Sequence, residues 1–314
     1  MAAIKTDILL DVGTNELEII EFKVGTQTFG VNVAKVKKVL HFKPEMMTGL
    51  AEAPAGVEGL LYYQEKPVLL VNLRKVLGLE APPADDARRL ALVTHFNDVF
   101  FSFLIDGVNR IHRLSWKQLQ PFEETIPGAT ACVTGTVTIE GRVIMILDLE
   151  HLMADISPET SVKASLGVDR EIPSDVRRAG VRVVYAEDSS MIRRITVQKL
   201  REGGYTQVQA FENGQRAYDH LAALADQAKA EGKSPESAFD ILLTDIEMPQ
   251  MDGLTLCRHV REGLKMKTKP VVIYSSLINE QMAAKCRSVG SSAHVSKPKI
   301  EEIVGLLDGF CGIA

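Results

Sequence analysis

From residue 181 onward, short apolar runs of strand length alternate with amphipathic segments of helix length, five times over. The runs are VRVVYA (181–186), VQAF (208–211), DILLT (240–244), VVIYS (271–275) and AHVS (293–296). Helix patterns fill the intervals around 190–204, 214–228, 253–263 and 278–289, and follow the last run at 299–309. Strands that are apolar along their whole length need cover on both faces, and strands separated by helices run parallel. A doubly wound parallel sheet is therefore expected, and in such sheets ligands bind beyond the carboxyl ends of the strands.

The residues at those ends are not core residues. Glu187 and Asp188 follow the first run, Asp245 the third, while Ser275 and Ser276 end the fourth, and Lys297 and Pro298 follow the fifth. Three carboxylates converging on one rim repel one another unless a cation joins them. An all-oxygen site that leaves room for waters suits Mg²⁺. Beside such an ion Asp245 can act as a carboxylate nucleophile toward a phosphoryl group, with the Lys297 ammonium and the Ser275 hydroxyl holding phosphoryl oxygens. The polar insert 226–240 is expected to form a surface loop or helix extension on the opposite rim.

This constellation resembles the receiver domain of two-component signalling over roughly residues 180–314. Ser275 lies thirty residues after Asp245, Lys297 a further twenty-two, and DIEMPQMDG (245–253) is similar to the loop that follows the family's phosphoacceptor. The resemblance implies a flavodoxin-like (βα)5 fold with Asp245 as phosphoacceptor. It also implies Mg²⁺ held by the side chains of Glu187, Asp188 and Asp245 and by the backbone carbonyl of Glu247. Ser275 and His294 then occupy the switch positions. The chain departs from the family in having Glu187 where aspartate is also common, and His294 where the switch residue is usually a larger aromatic.

The first part of the chain reads as β-rich. IIEFKV (19–24) alternates, with Ile20, Phe22 and Val24 on one face and Glu21 and Lys23 on the other, as in a half-buried strand. Residues 69–77 match 145–153 at an offset of 76, and Phe29 to Val39 match Phe101 to Ile111 at an offset of 72. Two nearly equal offsets indicate a duplicated β unit. No catalytic cluster is visible here. His41, His95, His112 and His151 lack metal-ligand spacing, Trp116 reads as a packing residue, and the four cysteines have no CxxC spacing.

GVEGLLYYQEKPVLLVNLRKVLGL (56–79) resembles the signature of CheW-like coupling domains, and FGVNVAKVKKVL (29–40) and GRVIMILDLEHLM (141–153) fit that family's other strands. The resemblance implies a CheW-like coupling domain over 15–157 with a double five-stranded barrel, a linker over 158–179, and a receiver over 180–314. Where the family usually has Asn-Leu-Arg-Gly, this chain has Tyr62, Tyr63, Gln64 and Glu65, which become the candidate interface residues.

Together the two resemblances imply a chemotaxis adaptor. Its first domain would dock on chemoreceptors (methyl-accepting chemotaxis proteins) and on the histidine kinase CheA. Its second would take a phosphoryl group from that kinase, catalysing its own phosphotransfer and dephosphorylation rather than turning over a substrate. A phosphate sink that drains the kinase, and a Mg²⁺-dependent phosphohydrolase, remain as alternatives. Residues 1–160 carry 15 Lys and Arg against 21 Asp and Glu, and residues 161–314 carry 21 against 20. Neither part has a basic stripe, so nucleic acid is not an expected partner. No apolar run reaches the ~18 residues of a membrane span and the first residues lack a signal-peptide pattern. A cytoplasmic protein without direct membrane insertion, recruited to membrane receptor clusters, is expected.

Overall fold

A computed structural model describes residues 16–79, 89–96, 99–121, 132–156 and 172–313, so residues 158–171 of the expected linker lie outside the described residues. Among the described residues the first part contains twelve strands. The first six are β1 (Glu16–Val24), β2 (Gln27–Asn32), β3 (Val36–His41), β4 (Met47–Thr48), β5 (Val57–Tyr63) and β6 (Lys66–Asn72). The second six are β7 (Leu90–Phe96), β8 (Val99–Ile105), β9 (Gly107–Ser115), β10 (Gln120–Pro121), β11 (Val133–Ile139) and β12 (Arg142–Leu147). Helices α1 (Leu73–Val76) and α2 (Leu149–Ile156) follow β6 and β12.

These strands form two six-stranded sheets, ordered β10-β11-β12-β2-β1-β9 and β4-β5-β6-β8-β7-β3. Shifting every strand by six positions converts one order into the other. Each sheet thus takes two strands from one half of the repeat and four from the other half. The register agrees with both sequence offsets: Met145 pairs with Phe29 across β12 and β2, and Leu69 pairs with Phe101 across β6 and β8. The duplication is therefore real, and its two copies have exchanged their first hairpins. Five strands of each sheet are six to nine residues long, and the sixth, β4 or β10, has two.

Three apolar clusters hold this part together. One lies between the sheets and joins Ile20, Phe22 and Phe29 of one to Leu92, Phe101 and Phe103 of the other. The other two belong to single sheets, one around Leu17, Ile19, Trp116 and Ile144, the second around Leu61, Leu70, Val93 and Leu104. Each sheet is consequently covered on both faces. That changes the reading of β1: its Ile20–Phe22–Val24 face packs between the sheets, but Leu17, Ile19 and Glu21 are buried as well, and only Lys23 of the two expected outward residues is exposed. Glu21 is accommodated by hydrogen bonds from Asn109 (2.8 Å) and Arg142 (3.0 Å) and a contact with His112 Nε2 (2.5 Å).

The second part has strands β13 (Arg182–Ala186), β14 (Gln207–Phe211), β15 (Ile241–Thr244), β16 (Val271–Ser275) and β17 (Ala293–Ser296), all parallel, in the order β14-β13-β15-β16-β17. Helices α3 (Ser190–Glu202), α4 (Gly214–Ala230), α5 (Gly253–Arg258), α6 (Glu280–Ser288) and α7 (Ile300–Cys311) connect and cover them. This is the flavodoxin-like order. Along β15 successive residues feed opposite cores, Leu242 with Leu256 and Ile273 on one face, Ile241 and Leu243 with Leu307 and Val295 on the other. The insert after α4 begins as a helix extension and ends in a short turn, Pro235–Ser237. Residues 172–179, expected within the linker, are anchored to this domain: Ile172 joins its core and Arg178 forks onto Asp308 at 2.8 and 2.7 Å. No helix among the described residues is long and apolar enough to cross a membrane.

Candidate functional site

The carboxyl ends of β13, β15 and β17 meet at one rim. Asp245 directly follows β15, its backbone N–H donating to the Ala186 carbonyl (2.9 Å), which fixes it beside the end of β13. The loop behind it is tightly built. Asp252 caps α5 by accepting from the N–H groups of Leu254 and Thr255, both at 2.9 Å. Gly253 lies so close to the Asp245 carbonyl that a β-carbon there would sit 1.8 Å from its oxygen, so only glycine fits. The Asp-Gly pair of the motif thus holds the Asp245 backbone in place.

Glu187, Asp188 and Asp245 each present a carboxylate oxygen within 4.8 Å of the other two. Lys297, 1% exposed, bridges the cluster, with its Nζ 2.8 Å from Glu187 Oε2 and 2.9 Å from Asp245 Oδ2. The Tyr185 hydroxyl donates to Glu187 Oε2 (2.9 Å), and Arg193 clamps the carbonyls of Glu187 and Asp188. Burial raises the Glu187 carboxyl to about 7, with Lys297 opposing and the Asp245 charge adding to the rise. Burial also lifts Asp188 well above the usual range, reinforced by Glu187 and Asp245. Burial alone would lower the Lys297 pKa, but Asp245 and Glu187 hold it well above the ordinary lysine value. Glu187 Oε1 is buried without a hydrogen-bond partner. An unpartnered oxygen among three crowded carboxylates fits a hard divalent cation.

The other expected residues are distributed around this centre. Ser275 ends β16, fully buried, and accepts from the Leu277 N–H at 3.4 Å. His294, half-buried on β17, lies opposite Ile273 and does not line the cavity at Asp245. Tyr62 to Glu65 form the tip of the β5–β6 hairpin, with Tyr62 68% exposed, Tyr63 against Phe100, and Gln64 and Glu65 both at positive φ (48° and 62°). The repeat explains the turn: Glu65 corresponds to Gly141, which closes the β11–β12 hairpin at φ 76°.

The first domain also reaches this rim, which the sequence reading did not anticipate. Lys35, in the turn between β2 and β3, lies 2.9 Å from both Glu150 of α2 and Glu247 of the Asp245 loop. Asn32 donates to Glu247 (2.7 Å), Ser276 donates to Glu150 (2.7 Å), and the Gln250 N–H donates to the Trp116 carbonyl (3.2 Å). Between the domains Asn32, Lys35, Trp116, Glu150 and Glu247 line a cavity of about 40 Å³ that reaches Asp245. One signal was available. Glu150 corresponds through the repeat to Arg74, which pairs with Asp106, a residue one position from the repeat equivalent of Lys35. An acid–base pair thus occurs at about the same place in each copy, with opposite charges on the helix residue.

Comparison with known proteins agrees with this architecture. Residues 18–157 match the CheW-like domain family, and residues 183–308 match the response regulator receiver domain family. The chain thus joins a CheW-like domain to a response regulator receiver domain. Its likeness to the CheV type runs through both domains: it is 26% identical to chemotaxis protein CheV3 of Helicobacter pylori over 95% of this chain and 97% of that protein. Chemotaxis protein CheV2 of the same organism is 23% identical over 93% and 94%. Protein PilG of Pseudomonas aeruginosa is 30% identical over 41% of this chain and 85% of its own, within the receiver part.

Proposed function

We propose that this chain is a chemotaxis adaptor whose CheW-like domain couples chemoreceptors to the kinase CheA, under control of phosphorylation at Asp245. The observation that carries the reading is the cluster of Glu187, Asp188 and Asp245, bridged by Lys297 at the ends of a parallel sheet. In the transfer, an Asp245 carboxylate oxygen attacks the phosphorus of a phosphohistidine. The P–N bond breaks and its electron pair returns to the imidazole. Glu187, Asp188 and Asp245, with the Glu247 backbone carbonyl, would hold Mg²⁺, which supplies neutralisation of the phosphoryl oxygens. Lys297 is drawn from its carboxylate partners to one phosphoryl oxygen, the Ser275 hydroxyl to another, and His294 follows the β17 end as the switch residue. The exposed Tyr62–Glu65 hairpin is the proposed contact with receptor or kinase.

The test is kinase ATPase activity in a reconstituted receptor–CheA assembly with this protein as sole coupler. Beryllofluoride and Mg²⁺ would be added to mimic the aspartyl phosphate, with Asp245→Ala as control. Activation that changes on addition for the wild type, and not for Asp245→Ala, is the expected result. No activation in either state would reject the coupling role. An equal response of Asp245→Ala would move the acceptor elsewhere.

A further inference from the structure

The acceptor lies against the first domain, nearly buried. Asp245 is 4% exposed, and the cavity that reaches it holds about three waters at ~10–15 Å³ for each water centre. One wall of that cavity is the CheW-like domain, through Asn32, Lys35, Trp116 and Glu150, and its contacts fall on the loops that a phosphoryl group would disturb. Lys35 and Asn32 hold Glu247, two residues after Asp245, while Glu150 accepts from Ser276, the residue after Ser275.

The charges make this contact conditional. Lys35 is 8% exposed and lies 2.9 Å from both Glu150 and Glu247. Asp148 lines the same cavity as Glu187, Asp188 and Asp245. Two lysines therefore serve an excess of buried carboxylates drawn from both domains. A phosphoryl group on Asp245 replaces the single carboxylate charge with roughly two, a net gain of about one, and competes for Lys297.

We propose that the Lys35–Glu150 pair latches the CheW-like domain over the acceptor site, and that loading Asp245 releases the latch. The inference rests on Asp245 being the acceptor. By reciprocity, the latch weakens loading by the same factor by which loading weakens the latch, and couplings of this kind span roughly 5–150-fold.

The experiment is backbone hydrogen exchange on the full chain at residues 33–36 and 148–152, both outside the receiver, with and without Mg²⁺ and beryllofluoride. Loading is monitored separately by the fluorine resonance of the bound complex. In the wild type, loading is expected to raise exchange at both segments at least fivefold. Lys35→Met is expected to show that raised exchange before loading, and to load at a lower beryllofluoride concentration. If Lys35→Met exchanges rapidly throughout β1 and β13, it has unfolded, and Glu150→Gln takes its place with the same expectation. Unchanged exchange at 33–36 and 148–152 while the bound fluorine signal is present overturns the latch and leaves the acceptor intact. Absence of that signal in the wild type overturns the acceptor reading, and the latch with it.

Discussion

Glu21 offers a direct measure of what the fully covered sheets demand. Its side chain is inaccessible to solvent in the middle of β1. Burial alone would raise its pKa, but the hydrogen bonds from His112, Asn109 and Arg142 hold it at about 2 instead of 4.5. A carboxyl with a lowered folded pKa contributes stability that is present above the unfolded pKa and lost as pH falls through the folded one. The shift corresponds to about 3 kcal/mol at neutral pH, at ~1.4 kcal/mol per unit, declining between pH 4.5 and 2. Glu21→Gln keeps the shape and removes the charge. Urea unfolding followed by the fluorescence of Trp116, the only tryptophan and a core residue of the same domain, gives the comparison. The variant should be less stable by about 3 kcal/mol at pH 7 and by about 1 kcal/mol at pH 3. Comparing the two proteins cancels other carboxyls that titrate in this range. A gap below ~1 kcal/mol at pH 7, or one that stays constant with acidification, would refute the argument that these hydrogen bonds stabilise the ionised form.

Two backbone positions give sharper tests of local geometry. Gly253→Ala should destabilise the receiver by about 3 kcal/mol or more, because its β-carbon meets the Asp245 carbonyl. The loss is read from urea unfolding at 222 nm, where most of the helical signal comes from α3 to α7, and a cost under ~1 kcal/mol would mean the loop yields easily. Glu65→Gly should stabilise the CheW-like domain by about 1 kcal/mol, since a residue with a β-carbon at φ 62° is strained where glycine is not. An unchanged Trp116 unfolding midpoint would show that Glu65 has a compensating contact.

The receiver half of the fold was legible because its determinants are local. Each strand is a short, largely apolar run, four of the five end in polar residues with chemistry, and a parallel sheet brings those ends to one rim. Glu187, Asp188, Asp245 and Lys297 met as their positions implied. The CheW-like half was legible as a repeat but not as an exchange. A sequence offset shows which strands are equivalent, but the neighbours they choose depend on contacts made across the sheet. The alternation in β1 misled for a related reason: a polar residue at period two normally marks water, and Glu21 marks a buried hydrogen-bond network instead. Lys35 and Glu150 were invisible because each looks like an ordinary surface charge until the second domain is placed against it.

The reversed pair also bears on how a signal could leave the receiver. Arg74 and Asp106 pair at one strand exchange, and Lys35 and Glu150 at the other. Only the second pair reaches the receiver, through Glu247 and Ser276. The candidate coupling hairpin, Tyr62 to Glu65, belongs to the sheet containing β5 and β6, whereas Glu150 follows β12 of the other sheet. A change at the latch must therefore cross from one sheet to the other. The route available is the cluster between them, where Leu149 and Leu152 of α2 pack with Val57 of β5 and Val71 of β6. The helix that carries Glu150 thus shares one core with the strands that carry the hairpin. A close-packed cluster of this kind transmits a displacement because it has little free volume in which to absorb one. On the proposed latch, the Lys35–Glu150 end is the regulated one and the Tyr62–Glu65 hairpin the output, joined by a single core.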